Sequence, residues 1–369
     1  MKYYSSTNKD LRVNLREAVF KGLAPDKGLF MPERIPAFPP EFFNEIYSFD
    51  FPALSLEISK KLFGEDIDAK NLSGLVYDAI NFPTPVIELT QNLSVLELFH
   101  GPTLAFKDVG ARFMARMLSL LVKNHPEDIH VLVATSGDTG SAVANGFLGV
   151  DGIKVHVLYP KNKVSKIQEI QFTTLGKNIS ALEVDGTFDD CQRMVKKAFN
   201  CSGLQEKMTL TSANSINLAR LLPQTFYYFN AYRQIEKKEK LVFCVPSGNF
   251  GNLTAGLIAR SMGLPVDHFI AATNVNDIVP HYLQTGIFKT RASLSTIANA
   301  MDVGDPSNFD RMLDLFDHSH GKMKKVISGY AYKDEEIRAG IKTCLKETGY
   351  LLDPHGSTAY LAAKEYQKK

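Results

Sequence analysis

The chain has 369 residues, 44% of them hydrophobic, which is enough for a core of two or three layers and too much for one small module. Lys and Arg number 42 against 40 Asp and Glu, so the net charge of +2 gives no general attraction to nucleic acid or to an anionic membrane. Any anion must be met locally. Four cysteines, Cys191, Cys201, Cys244 and Cys344, are scattered without zinc or Cys-x-x-Cys spacing, so reduced thiols and no metal site are expected. The first residues lack the apolar core of a signal peptide, and no apolar run approaches membrane-spanning length. The expectation is a cytoplasmic protein.

Residues 1 to about 80 place apolar side chains at helical intervals (Leu15, Ala18, Val19, then Ala53, Leu54, Leu56, Ile58, Leu62, Phe63), punctuated by Pro32, Pro36, Pro39 and Pro40. A mainly helical N-terminal unit follows from that pattern. Pro83-Thr84-Pro85 marks a boundary, because each proline biases the residue before it away from helix. Beyond it, the short aliphatic runs 95–99, 129–134, 155–159 and 241–245 are each followed by a turn and a helix-like stretch. That alternation predicts α/β architecture with largely parallel sheet, whose ligands sit at the carboxyl ends of the strands.

Five loops at such positions offer chemistry. In His100-Gly101-Pro102-Thr103-Leu104-Ala105-Phe106-Lys107-Asp108, Lys107 falls near a strand-to-helix junction. A lysine is usually a solvated charge. Here glycine and proline shape the turn and Phe106 is apolar, and an amine against apolar surface loses proton affinity, as a Schiff-base lysine requires. In Ala134-Thr135-Ser136-Gly137-Asp138-Thr139-Gly140-Ser141, hydroxyls and free N–H groups at a helix start hold a carboxylate or phosphate, or else simply cap the helix. In Pro246-Ser247-Gly248-Asn249-Phe250-Gly251-Asn252, two glycines three apart let backbone amides approach an oxyanion, although a plain turn also fits and no nucleotide signature is present. Between Ser212 and Arg220, a helical turn would align Asn214, Asn217 and Arg220 as a phosphate clamp; the alternative is a capped helix with a solvated arginine. The stretch 350–359 repeats the strand, turn, helix pattern and contributes His355, Ser357 and Thr358, although a histidine in such a turn is more often a hydrogen-bonded structural residue than a catalyst. Residue chemistry alone thus reaches a phosphate-binding α/β enzyme with a reactive lysine.

These motifs, together with Gly22-Leu23-Ala24 to Gly28-Leu29-Phe30, Ala271 to Asp277 and Asn299 to Val303, stand in an order that resembles the threonine synthases. Those are pyridoxal-phosphate enzymes of the tryptophan-synthase-β-like group. The resemblance implies two open, mostly parallel twisted sheets flanked by helices (PLP fold type II) behind a helical N-terminal unit of residues 1–80. It implies a catalytic region of residues 81–369, in which a smaller subdomain of about 108–220 is inserted into a larger one of about 81–107 and 221–369. Lys107 matches the lysine that binds pyridoxal 5'-phosphate, and Ser247, Gly248, Asn249, Phe250, Gly251 and Asn252 match the loop that cradles its phosphate. Ser136 and Gly137 match the loop that receives the substrate carboxylate, and Thr135, Thr139, Asn214 and Arg220 would face the substrate phosphate. Asp138 stands where more distant members carry an Asn beside the cofactor's ring hydroxyl. Gly356 occupies the usual place of the ring-nitrogen partner, which leaves Ser357 or Thr358 to reach it. The implied reaction converts O-phospho-L-homoserine and water to L-threonine and phosphate in a monomer or homodimer with no nucleic-acid or membrane partner. The alternatives are a lyase of the same fold releasing 2-oxobutyrate from phosphohomoserine, threonine or serine, and a non-catalytic pyridoxal-phosphate-binding protein.

Overall fold

The helical spacing of the N-terminal residues folds as the helices Leu15–Lys21 and Phe51–Phe63, whose first turns are capped by the side chains of Asn14 and Asp50. A third helix, Ala69–Ala79, is capped by Asp68. The computed structural model describes residues 1–123, 127–236 and 240–368; Lys369, the end of the polar tail, lies outside the described residues. The chain divides into two units, one of Met1–Thr84 with Leu98–Asn230 and one of Pro85–Glu97 with Ala231–Lys369.

The first unit is built on a parallel sheet in which Ile179–Val184, Ile153–Pro160, Ile129–Ala134 and Thr209–Ser212 lie side by side. Its inner strands are buried almost without interruption, as strands covered on both faces must be. Phe113 of the helix Lys107–Val122 packs between Phe63 and Phe226, with ring centres 5.4 and 5.5 Å away, so the N-terminal helices and the Lys107 helix share one core. The N-terminal residues also form a small antiparallel sheet, with Tyr3–Ser5 between Arg12–Val13 and Phe30–Pro32. Strands of two or three residues carry no readable periodicity, so no sequence pattern marks them.

The second unit carries a parallel sheet with His268–Thr273 between Val242–Pro246 and Ile327–Ala331. The helices Asp334–Thr348 and Pro354–Tyr366 belong to it, and Ile270, Ala272, Ile337 and Ala362 share a buried cluster. Two expected strands differ from the pattern. The run 95–99 is not a parallel strand: Leu93–Leu96 pairs antiparallel with Val86–Thr90 across a tight turn at Gln91 and Asn92. The expected strand before Pro354 does not form either; the chain there is held by side chains, with Tyr350 donating to Glu97 at 2.6 Å and Asp353 capping the following helix.

Candidate active site

Lys107 is the first residue of its helix, and the residue after it fixes where that helix begins. The Asp108 carboxylate is 1% exposed and accepts hydrogen bonds from the Thr103 amide at 2.9 Å and the Thr103 hydroxyl at 2.6 Å. A Cβ on Gly101 would run into this carboxylate, so the turn tolerates only glycine there. Burial pushes the Asp108 carboxyl up, and the Thr103 hydrogen bonds pull against that.

The Lys107 amine sits 4.8 Å from the centre of the Phe106 ring, the apolar surface the sequence suggested. It does not sit there alone. Asp138 Oδ2 lies 3.2 Å from Nζ, and the lysine side chain is only 18% exposed. The other carboxylate oxygen of Asp138 accepts from Gln168 Nε2. Gln168 belongs to the helix Lys166–Thr173, and no motif in the sequence marked it.

Around Asp138 the loop is shaped by Thr135, whose fully buried hydroxyl oxygen accepts from the amides of Gly137 and Gly140 at 2.9 and 2.8 Å and also donates to the Gly137 carbonyl. That hydroxyl is therefore committed inside the loop. Gly137 has φ +142°, a conformation that L side chains rarely adopt, and is followed by the helix Asp138–Phe147, while Ser136 and Thr139 stay half-buried beside it.

The stretch 212–220 is arranged differently from the helical clamp the spacing suggested. The helix begins only at Leu218, so Asn214 lies in the preceding turn and does not share a helical face with Arg220. Asn214 Nδ2 donates to the Ala134 carbonyl at 3.1 Å, which joins this turn to the start of the Thr135 loop. Asn217 caps the short helix, and its Nδ2 donates to the carbonyls of Val19 and Ser212. Thr211 donates to the same Val19 carbonyl, so the N-terminal helix buttresses this turn from behind. Arg220 is 4% exposed, with Nη1 donating to the Ala213 carbonyl at 2.5 Å and Nε buried without a hydrogen-bond partner. Burial pushes the Arg220 guanidinium down to about 10, opposed by the charge of Asp108. A buried cation with an unsatisfied donor calls for an anion.

In the second unit, the loop after Val242–Pro246 turns its side chains inward. Ser247 Oγ donates to the Val245 carbonyl, and Asn249 Oδ1 accepts from the Ser307 amide. Phe250 takes a left-handed conformation at φ +60° and supplies no side-chain hydrogen bond to the helix Gly251–Ser261 that it precedes. Main-chain donors are what this helix start offers. Gly248 packs so closely that an added Cβ would lie 2.9 Å from the Ala300 carbonyl oxygen.

The C-terminal turn is also occupied with holding that wall. His355 accepts the Ala300 amide on Nε2 at 3.2 Å, while its Nδ1 lies 2.6 Å from Asp353. This makes His355 a structural link. Ser357 is fully buried and donates to the Ile337 carbonyl, and Thr358 donates to the His355 carbonyl.

Comparison with known proteins settles the family. A sequence model described as pyridoxal-phosphate dependent enzyme matches residues 78–369, and one described as threonine synthase N terminus matches residues 2–80. The threonine synthase of Escherichia coli is 45% identical over 367 residues, covering 99% of this chain and 85% of that protein. The chain belongs to the threonine synthase family. The E. coli threonine synthase crystal structure superposes with a TM-score of 0.93 at 44% identity, covering 99% of this chain and 85% of that one. A pyridoxal-phosphate-bound threonine synthase from Brucella melitensis does so with a TM-score of 0.93 at 34% identity and the same coverage. Membership makes the protein a pyridoxal-phosphate-dependent lyase with a small-molecule substrate. In the first unit, the Lys107 amine beside the Asp138 carboxylate fits an aldehyde cofactor. Among the described residues no His, Cys, Asp and Glu cluster is able to hold a metal ion, and no helix is long and apolar enough to cross a membrane. The free thiols of Cys191 and Cys344 are buried, Cys244 is half-buried, and Cys201 is exposed.

Proposed function

We propose that this protein converts O-phospho-L-homoserine and water to L-threonine and phosphate, the last step of threonine biosynthesis. The observation that carries the reading is Arg220. A buried guanidinium with an unsatisfied Nε, in the same unit as Lys107, is suited to a phosphate.

Bound pyridoxal phosphate supplies the electron sink that lets the substrate Cα–H bond break. The main chain of Gly248, Asn249, Phe250, Gly251 and Asn252 holds the cofactor phosphate beside Ser247, whose own amide is committed to the Ala272 carbonyl, and Lys107 binds the cofactor covalently. Ser357, its proton given to Ile337, can serve the cofactor only as a hydrogen-bond acceptor. Ser136 and Gly137 receive the substrate carboxylate. Thr139, Asn214 and Arg220 hold the substrate phosphate, with Thr135 shaping the loop from inside. Lys107 Nζ takes the protons from Cα and Cβ, phosphate leaves from Cγ, protons return to Cγ and Cα, and water supplies the hydroxyl at Cβ and a proton to the released phosphate. Arg220 stabilises the charge that grows on the leaving phosphate, a role for a buried and pre-oriented cation.

Functionally we divide the chain into an N-terminal unit of residues 1–80 and a catalytic region of residues 81–369. Within that region, residues of about 108–220 form a smaller subdomain. A cytoplasmic monomer or homodimer without a nucleic-acid partner fits this role.

The test is to incubate the protein, with pyridoxal phosphate, on O-phospho-L-homoserine and to identify the organic product beside released phosphate. Threonine in step with phosphate is the expected result. Phosphate with 2-oxobutyrate would move the function to a lyase of the same fold, and neither product would overturn the assignment of the substrate.

A further inference from the structure

We propose that Gln168 is a positioning residue for Lys107, acting through Asp138. The inference rests on Lys107 being the cofactor lysine and adds a residue that no motif singled out. An aspartate held at one oxygen is still free to rotate. Asp138 is held at both: Oδ2 faces Lys107 Nζ at 3.2 Å, and Oδ1 accepts from Gln168 Nε2.

The amide of Gln168 is itself oriented. Its Oε1 accepts from the Ser165 hydroxyl at 3.0 Å, which turns Nε2 toward the carboxylate. The Gln168 backbone is fixed as well, its N–H donating to Ser165 Oγ at 3.4 Å and its carbonyl accepting from Ser141 Oγ at 3.3 Å. A Cβ on Gly137 would run into the Gln168 side chain, so the glycine ahead of Asp138 leaves the space that the amide fills. Only a neutral donor suits this place, since a glutamate would set a second carboxylate against Asp138. Of the charged groups on neighbouring elements, Asp108 bonds Thr103, Arg112 the carbonyls of Asp78 and Ala79, and Lys166 Glu169, while His130 lies against His156 and Arg220 donates to Ala213 with its Nε left open. A hydrogen-bonded chain thus runs from Ser165 through Gln168 and Asp138 to Lys107.

The experiment measures covalent capture of pyridoxal phosphate by cofactor-free protein, trapped with borohydride and counted at Lys107 by mass spectrometry, next to steady-state kinetics on O-phospho-L-homoserine. Gln168→Met keeps the volume and removes the donor. It should slow capture roughly tenfold and lower kcat by a similar factor, with KM changed less than about threefold and the thermal midpoint unchanged. Ser165→Ala should shift capture in the same direction by a smaller factor, and it carries the test if Gln168→Met does not fold. In the Asp138→Ala background, Gln168→Met should add no further loss, because a residue that acts through another is silent once that other is gone. Wild-type capture in folded Gln168→Met, or in Ser165→Ala where that variant carries the test, would overturn the proposal. So would losses that add to those of Asp138→Ala. Capture needs no substrate, so a wild-type protein that binds pyridoxal phosphate at Lys107 without making threonine would sink the proposed activity and leave this assignment standing.

Discussion

The helix that begins at Lys107 and the helix that begins at Gly251 both start without a side-chain cap, yet they are dressed in opposite ways. Around Lys107 the polar groups are charged side chains facing one another or left open: the amine against Asp138, and Arg220 with an unsatisfied Nε. Around Gly251 the side chains of Ser247 and Asn249 hydrogen-bond their own loop or the neighbouring Ser307, and the helix start is left with main-chain donors. The difference matches the tasks. Fixed backbone dipoles suit an anion that stays bound, such as a cofactor phosphate. Pre-oriented side-chain charge suits proton transfer and the charge that grows on a leaving phosphate.

The comparison breaks most visibly at the lysine. Lys107→Ala should abolish both turnover and the visible absorbance of the bound cofactor, and a yellow, active variant would remove Lys107 from its role. Next in size, Gly251→Val puts a branched side chain over the main-chain donors; cofactor retention in dialysis should fall by about two orders of magnitude, while the fold, followed by circular dichroism, persists. Arg220→Ala should weaken binding of O-phospho-L-homoserine by about 10- to 100-fold, the range for losing a charge-assisted hydrogen bond, and leave cofactor retention near wild type.

The smallest effect lies away from the site, on the first unit's sheet. His130 Nδ1 and His156 Nε2 are 2.9 Å apart on neighbouring strands, and burial pushes both imidazoles below the ordinary histidine value. A depressed histidine is neutral in the fold, so the unfolded chain takes up protons first as pH drops. The pair's contribution to stability is complete above about pH 6.5 and declines below it, toward the depressed folded values. Thermal unfolding between pH 7 and 5 should show a decline that His156→Gln flattens, by roughly 2 °C. An unchanged pH slope in that variant would show that the pair does not titrate in this way.

What was legible in the sequence followed from local rules. The Lys107 turn, the Thr135 loop and the Ser247–Asn252 loop stood out because glycine, proline and hydroxyl residues cluster between an apolar run and a helical pattern. The inner strands 129–134 and 155–159 were legible because a strand buried on both faces reads as a continuous apolar run. What escaped is non-local. The edge strand Ile179–Val184 mixes exposed and buried residues, and Thr209–Ser212 is four residues long, so neither gives a clear period. Spacing of three between Asn214, Asn217 and Arg220 suggested a helical face, but Asn217 spends its side chain on Val19, nearly 200 residues earlier in the chain (|i−j| = 198), and starts the helix only there. Gln168 meets Asp138 across 30 residues, and His355 meets Ala300 across 55, contacts that no single stretch of sequence announces.

The most direct measurement sets Arg220→Ala beside Gly251→Val and determines, for each, cofactor retention and affinity for O-phospho-L-homoserine. The expected outcome is a crossed pattern: Arg220→Ala keeps the cofactor and loses substrate affinity, and Gly251→Val loses the cofactor but binds substrate normally once saturated with pyridoxal phosphate. If Arg220→Ala sheds the cofactor as fully as Gly251→Val while its substrate affinity is unchanged, the division between a side-chain corner and a main-chain cradle is contradicted.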